Sequence, residues 1–303
     1  MSRILITGGS GMIGSRLTSL LLARGYEVVH LERSVKGSAV KTFLWDIARG
    51  QVDNKAFEGV HAVIHLAGAN IGGGRWTAKR KKEILDSRVE STRLLHRELG
   101  HNRHEVKTFL CASAVGYYGS DDGDALKGEG DQPGSDFLAK VTKDWEAAAS
   151  DIAALDIRVV RMRTGVVLSP KGGALEPMAK QVRLGLGAPL GTGRQYMSWV
   201  HLDDHCEAYI YALEHDAIHG PYNSVAPQPV TNQAFTREIA HVLKKPLFLP
   251  HIPRFIIRMV LGEMSVLVLD GCRVSSEKLV AAGFTFRHPK LEDALQDVLK
   301  VRR

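Results

Sequence analysis

"RILITGGSGMIGSRLTSLLLARGYEVVHLER" (residues 3–33) is the stretch whose reading decides the fold. β-Branched and leucine side chains fill 3–7, which reads as a buried strand. Gly8, Gly11 and Gly14 follow, three apart. From residue 12 the apolar spacing changes, and Ile13, Leu17, Leu20 and Leu21 share one face of a helix over 12–24. A second strand, "EVVHLE" (27–32), completes a strand–turn–helix–strand unit. In that setting each glycine has a task. Gly8 permits a tight turn, Gly11 lets backbone approach a pyrophosphate, and Gly14 lets the helix pack closely. The amides of the first helical turn, at Met12 and Ile13, then face the negative charge.

The end of the second strand sorts one dinucleotide from another. A carboxylate there accepts hydrogen bonds from the adenosine ribose, whereas an arginine grips a 2′-phosphate. Glu32 and Arg33 stand side by side, and neighbours on a strand point to opposite faces. Arg33 favours NADP, with NAD possible through Glu32.

Three further runs, "AVIHLA" (62–67), "KTFLCAS" (107–113) and "IRVVRMR" (157–163), read as buried strands separated by helix-length segments. This alternation predicts an α/β fold, a doubly wound parallel sheet covered on both faces. After Thr164 the rhythm breaks and Gly and Pro thicken, as in "LSPKGGALEP" and "RLGLGAPLGTGR". The expected division is a dinucleotide-binding domain over 1–164, to which 197–222 returns, and a smaller C-terminal α+β substrate domain from 165–196 and 223–303. The apolar stretch "FIIRMVLGEMSVLVLDG" (255–271) is interrupted by Arg258 and Glu263 before it could span a bilayer, and reads as a pair of core helices.

With 303 residues, 44% hydrophobic and 24% charged, the chain has the composition of a soluble globular protein. Of the formal charge of +7, a surplus of five lies in residues 75–107, where ten Lys/Arg face five Asp/Glu. Such a surplus suits an anionic small molecule. No nucleic-acid docking motif accompanies it, so no nucleic acid partner is expected. The three cysteines are far apart and odd in number, which fits a reducing compartment, and no signal-peptide pattern opens the chain. A cytoplasmic protein, monomer or homodimer, with no membrane partner, is the expectation.

Nearly end to end the chain resembles the extended short-chain dehydrogenase/reductases, and within them the atypical NAD(P)-dependent epimerase-family proteins. The resemblance is carried by "ITGGSGMIG", "HLAG" (65–68), "RWTAKRKKEILDSRV" (75–89), "ASAVGYYG" (112–119), "FLAKVTKDWEAA" (137–148), "RTGVVL" (163–168), "SWVHLDDHCEA" (198–208) and "GFTFRHPKLEDAL" (283–295). It implies a Rossmann-type domain with a C-terminal domain closing over a small-molecule substrate. It also implies that Asp46 approaches the adenine and that Leu66, Ala67 and Gly68 line the cofactor channel. Gln195 and Trp199 would border the substrate pocket.

The superfamily's Tyr-x-x-x-Lys dyad is absent: no tyrosine has a lysine four residues on. Aligning Glu146 with the usual glutamate puts Leu138 and Thr142 in the dyad's places. Arg88 stands where an asparagine is expected, on the inward stripe Leu85, Arg88, Thr92, Leu95, Leu99. A buried unpaired guanidinium is costly, so Arg88 either meets a carboxylate, a phosphate or the cofactor, or snorkels from the edge of the stripe. Of the usual catalytic set Ser113 remains, to hydrogen-bond a reacting oxygen, and Tyr117 is the candidate acid/base. Asp136 and Lys140 keep the dyad's spacing but offer a carboxylate. In "HLDDH" (201–205) the helix is expected to start with Asp203 or Asp204 as its cap, making His201 and His205 structural, and no metal site is expected. Two functions remain: an oxidoreductase or epimerase acting on a small polar, sugar-nucleotide or other anionic substrate, or a regulatory NADP(H)-binding protein that has lost catalysis.

Overall fold

A computed structural model describes residues 2–35, 40–120 and 123–300. The first half of the chain runs β1 (Arg3–Thr7), α1 (Met12–Ala23), β2 (Glu27–Glu32), β3 (Thr42–Asp46), β4 (Gln51–Val52), β5 (Val60–His65), α2 (Ala78–His101), β6 (Thr108–Ala114), β7 (Leu126–Lys127), α3 (Phe137–Ser150) and β8 (Arg158–Thr164). The second half runs β9 (Val166–Leu168), α4 (Leu175–Arg183), β10 (Tyr196–Met197), β11 (Trp199–His201), α5 (Leu202–Glu214), β12 (Gly220–Ser224), β13 (Val230–Thr231), α6 (Asn232–Val242), α7 (Arg254–Leu261), α8 (Val266–Leu269), β14 (Arg273–Val274), α9 (Glu277–Ala281) and α10 (Leu291–Lys300).

Eight strands form one sheet in the order β12-β8-β6-β5-β1-β2-β3-β4, parallel except for the β3–β4 pair. The chain builds outward from β1 to β4, then crosses to β5 and builds the other way. That reversal leaves a crevice at the carboxyl ends of β1 and β5, where sheets of this kind hold ligands. Both faces are covered, as the alternation of side chains along β1 requires. Ile4 and Ile6 pack with Leu17 and Leu21 of α1 and Tyr209 of α5. Leu5 packs on the other face with Leu95 and Leu99 of α2 and Trp145 of α3. The fold is the Rossmann-type doubly wound α/β sheet that the alternation predicts.

Three sheet strands, β3, the two-residue β4 and β12, escape the sequence reading. β3 is short and exposes Leu44. β12, "GPYNS", carries turn-forming Gly220 and Pro221, yet it lies at the sheet's edge, where proline is tolerated. In the C-terminal half, β9 pairs with β11 and β10 with β13, so the "MSWVHLDD" stretch joins small two-stranded sheets. Apolar faces of α4, α6 and α10 close around Trp199 and Phe235. The 255–271 stretch does form helices, but α7 is not core: Phe255 and Met259 are 69% and 72% exposed, and Ile257 is its one buried residue. Apolar side chains surround that helix while only one side meets protein. No described helix is long and apolar enough to cross a membrane.

Close backbone approach sets the start of the sheet. Gly8 is left-handed (φ 71°), and a Cβ there would lie 3.0 Å from the Ala67 amide nitrogen. A Cβ at Gly14 would lie 2.3 Å from the Gly8 carbonyl oxygen. No rotamer relieves such a clash, because its partner is backbone. Gly14→Ala is expected to cost about 1–3 kcal/mol of stability, read as a lowered urea midpoint. An unchanged midpoint would mean that α1 shifts freely on the sheet.

Candidate functional site

The residues singled out in the sequence gather along the carboxyl edge of the sheet. Gly8 to Gly14 follow β1, Arg33 follows β2, Asp46 ends β3, Leu66–Gly68 follow β5, and Ser113 and Tyr117 lie at and beyond the end of β6.

Gly11 is the N-cap of α1 and its backbone is extended (φ −73°, ψ 172°). No side chain caps the helix and its first turn holds no acid. The amides of Met12, Ile13 and Gly14 are therefore the free donors of a helix N-terminus. A Cβ at Gly11 would meet only the Gly8 oxygen, at 3.3 Å, so this glycine leaves open space above the loop. The residues fit a diphosphate. Gly9, absent from the sequence reading, is required by the fold: its Cβ would fall 2.4 Å from the His30 ring. That imidazole bonds Thr18 Oγ1 at 2.8 Å, and Thr18 donates to the Gly14 carbonyl.

At the end of β2, Glu32 accepts the Ser10 amide at 2.9 Å, which turns its carboxylate toward the loop. Arg33 is exposed and makes no hydrogen bond or ion pair among the described residues. Asp46 accepts the Arg49 amide, closing a turn.

Across the crevice a buried polar chain holds β5 to β1. Thr7 stands opposite His65 in register. Thr7 Oγ1 accepts from the Leu66 and Ala67 amides, both at 3.2 Å, and donates to His65 Nδ1 at 2.7 Å. Ser91 donates to backbone carbonyls of α2 and so accepts from His65 Nε2, at 3.1 Å. The network thus assigns the Nε2–H tautomer. Full burial, aided by the nearby Arg88 charge, drives the His65 pKa down to about 3.

Arg88 turns inward, as its stripe requires. Its Nη1 donates to the carbonyls of Ala69 and Ile84 at 3.1 and 3.0 Å, and the guanidinium lies 5.3 Å from the Trp145 ring centre. A Cβ at Gly68 would lie 3.1 Å from Arg88 Cζ, so the cation borders the Leu66–Gly68 segment. It meets no carboxylate among the described residues. Burial, with the Arg80 charge, lowers its pKa to about 10.

Beyond β6 the structure shows a hub that sequence reasoning missed. Glu146 and Arg163 form a buried ion pair, with contacts of 2.8 and 2.9 Å. Burial opposes the Arg163 charge, yet Glu146 outweighs it and holds the guanidinium above its ordinary pKa. Removing either partner would strand a buried charge. Ser113, 3% exposed, donates to Glu146 at 2.6 Å, so its proton is turned inward rather than toward the cleft. Tyr118 donates to Asn223 and accepts from Arg163. The Tyr117 ring lies 3.5 Å from the Arg163 guanidinium, and its hydroxyl has no partner among the described residues. The polar types within apolar strands (Thr7, His65, Ser113, Arg163) were the only available signal for these networks.

In the dyad's places, Leu138 packs beside Gly116, and Thr142 donates to helix carbonyls. Asp136 caps α3 by accepting the Ala139 amide, and Lys140 pairs with Asp144, so the two do not form a dyad. The cap of α5 is His201, whose Nδ1 accepts the Asp203 amide, and not either aspartate. Asp203 instead grips Arg16, and Asp204 accepts the amides of Arg287 and His288. His205 bonds Ser224, while His201 lies beside His288 and Asp297. Gln195 and Trp199 are buried, donating to backbone carbonyls.

His65 and His205 each have a folded pKa near 3. Below pH 6.5 the unfolded chain binds protons that the folded one refuses, so stability must fall as pH drops toward 3. Each contributes on the order of 4 kcal/mol across that window. Urea unfolding at steps between pH 7 and pH 4 should show the decline, with a shallower slope in His65→Asn. Equal slopes would refute the assignment of a neutral, buried His65.

Against known families, residues 4–224 match the model of the NAD dependent epimerase/dehydratase family, and residues 252–298 match a domain of unknown function, DUF1731. The chain is 38% identical to the epimerase family protein ML0860 of Mycobacterium leprae, covering 96% of this chain and 94% of that protein. It is 36% identical to the epimerase family protein YfhF of Bacillus subtilis, covering 99% of each. The crystal structure of human epimerase family protein SDR39U1 (isoform 2) with NADPH superposes with a TM-score of 0.88 at 33% identity, covering 98% of this chain and 99% of that one. A Thermus thermophilus UDP-glucose 4-epimerase complex with NAD, at 21% identity and TM-score 0.78, shares the fold. With a glycine loop, a reversing parallel sheet and these relatives, the chain belongs to the NAD dependent epimerase/dehydratase family.

Proposed function

We propose that this protein is an NADP(H)-dependent oxidoreductase for a small carbonyl or hydroxyl compound. The observation that carries the reading is the uncapped start of α1, opened by Gly11 and facing Leu66–Gly68 across the crevice. Met12, Ile13 and Gly14 amides would hold the diphosphate. Arg33, which has no partner among the described residues, would take the 2′-phosphate, and Asp46 would border the adenine. The human relative's NADPH supports that choice. Glu32 is already engaged by Ser10, which favours a ribose less than a free carboxylate would; NAD remains the weaker ligand. Arg88, which borders Gly68 and meets no carboxylate among the described residues, would face the cofactor from the other side.

When bound, the nicotinamide supplies or accepts hydride. The protein's part is to place the substrate and to move one proton. Tyr117 is the proposed acid/base: its ring lies against the Arg163 guanidinium and its hydroxyl has no partner among the described residues. Ser113 would position rather than react, because it steadies the end of β6 through Glu146. The substrate domain is proposed to be 165–196 with 223–303, closing over the carboxyl edge.

Thermal shift against the four nucleotides tests the cofactor. NADPH at a hundredfold excess over its Kd should stabilise by about 2.7 kcal/mol. Arg33→Ala should weaken NADPH by about tenfold while sparing NADH, as loss of one charge-assisted contact does. Gly11→Ala should lose the nucleotide with little change in the unliganded midpoint. Preferential stabilisation by NADH would sink the assignment of Arg33. In NADPH turnover with a carbonyl substrate, Tyr117→Phe should slow the rate by about 100-fold with nucleotide affinity intact. Unimpaired turnover would remove Tyr117 from the reaction.

A further inference from the structure

A cleft of about 420 Å³ opens beside the position that the dyad tyrosine would occupy. Trp76, Phe137, Leu138 and Val266 supply its apolar walls. Trp76 follows the loop that leaves β5, and Phe137 and Leu138 open α3, so the cleft lies on the cofactor's side of the sheet. Its aromatic wall is rigid. Trp76 and Phe137 meet edge to face at 5.1 Å, and Trp76 Nε1 donates to the Ile71 carbonyl.

The charged groups at the rim are mostly spent. Asp136 caps α3 and also accepts from Ser120. Glu263 pairs with Lys81. Arg258, on α7, has no partner among the described residues and lines the cleft. A ligand thus meets a mainly apolar body and one available cation.

A nucleoside diphosphate carries at least two negative charges, a ribose and a polar base. Burying those groups without partners costs several kcal/mol each on apolar reference scales. An aromatic or aliphatic body gains from the same walls, and one carboxylate or sulfonate would satisfy Arg258. We propose that this cleft takes an apolar carbonyl compound bearing one anionic group, and not a nucleotide sugar. The inference rests on the NADP(H)-dependent reading for its chemistry, but the cleft binds its ligand through its own walls.

The test needs no cofactor. Binding of 2-naphthoate, 2-naphthamide and UDP-glucose is followed by quenching of tryptophan fluorescence and by calorimetry. Naphthoate should bind more tightly than UDP-glucose. Arg258→Ala, at an exposed position, should weaken naphthoate by about tenfold and leave naphthamide unchanged. Tighter binding of UDP-glucose, no binding of naphthoate, or an Arg258→Ala variant that affects both naphthyl ligands equally would overturn the proposal. A failure of NADPH to bind in the thermal shift would instead overturn the cofactor reading and leave these outcomes intact.

Discussion

The structure depends on one close approach: the first turn of α1 lies against the Gly8–Gly9 backbone with no room for a side chain at Gly14. That contact brings the helix start to the carboxyl end of the sheet's central strand. From there its unpaired amides face the crevice left by the reversal of strand order. Free donors and a helix dipole together make a site for anionic oxygen.

Two buried polar systems then fix what surrounds the crevice. Thr7, His65 and Ser91 tie the end of β5 to β1 and α2, and each proton in the chain has one direction. Glu146 and Arg163 hold Ser113, Tyr117 and Tyr118 beyond β6. Buried polar groups of this kind are costly unless satisfied, and every named member finds a partner or a ring except the Tyr117 hydroxyl, which has none among the described residues.

Where the resemblance would place the dyad, the chain carries Leu138 and Thr142. Leucine in the tyrosine's place extends the wall begun by Trp76 and Phe137. Threonine in the lysine's place folds its hydroxyl back onto helix carbonyls. The cleft is walled mainly by apolar side chains, and Arg258 of α7 lines it without a partner among the described residues.

What the sequence by itself determined is the local and periodic part. Strand and helix periods, the glycine spacing and the inward stripe bearing Arg88 are properties of neighbouring residues, so α1, β1, β2, β6 and β8 were legible within about a residue at most ends. That no tyrosine has a lysine four residues on was legible too, since such spacing is a matter of counting. Only the tertiary structure decided that Gly9 also serves the fold, because its neighbour is the His30 ring, twenty-one residues further along the chain. It also decided that Ser113 faces Glu146, that His201 caps α5, that β12 completes the sheet despite its turn-forming residues, and that α7 lies exposed. Apart from the His201 cap, whose partner is the Asp203 amide two residues on, each of these turns on a partner 20 or more residues away or on the absence of a neighbour. Such facts arise only when the chain has closed on itself.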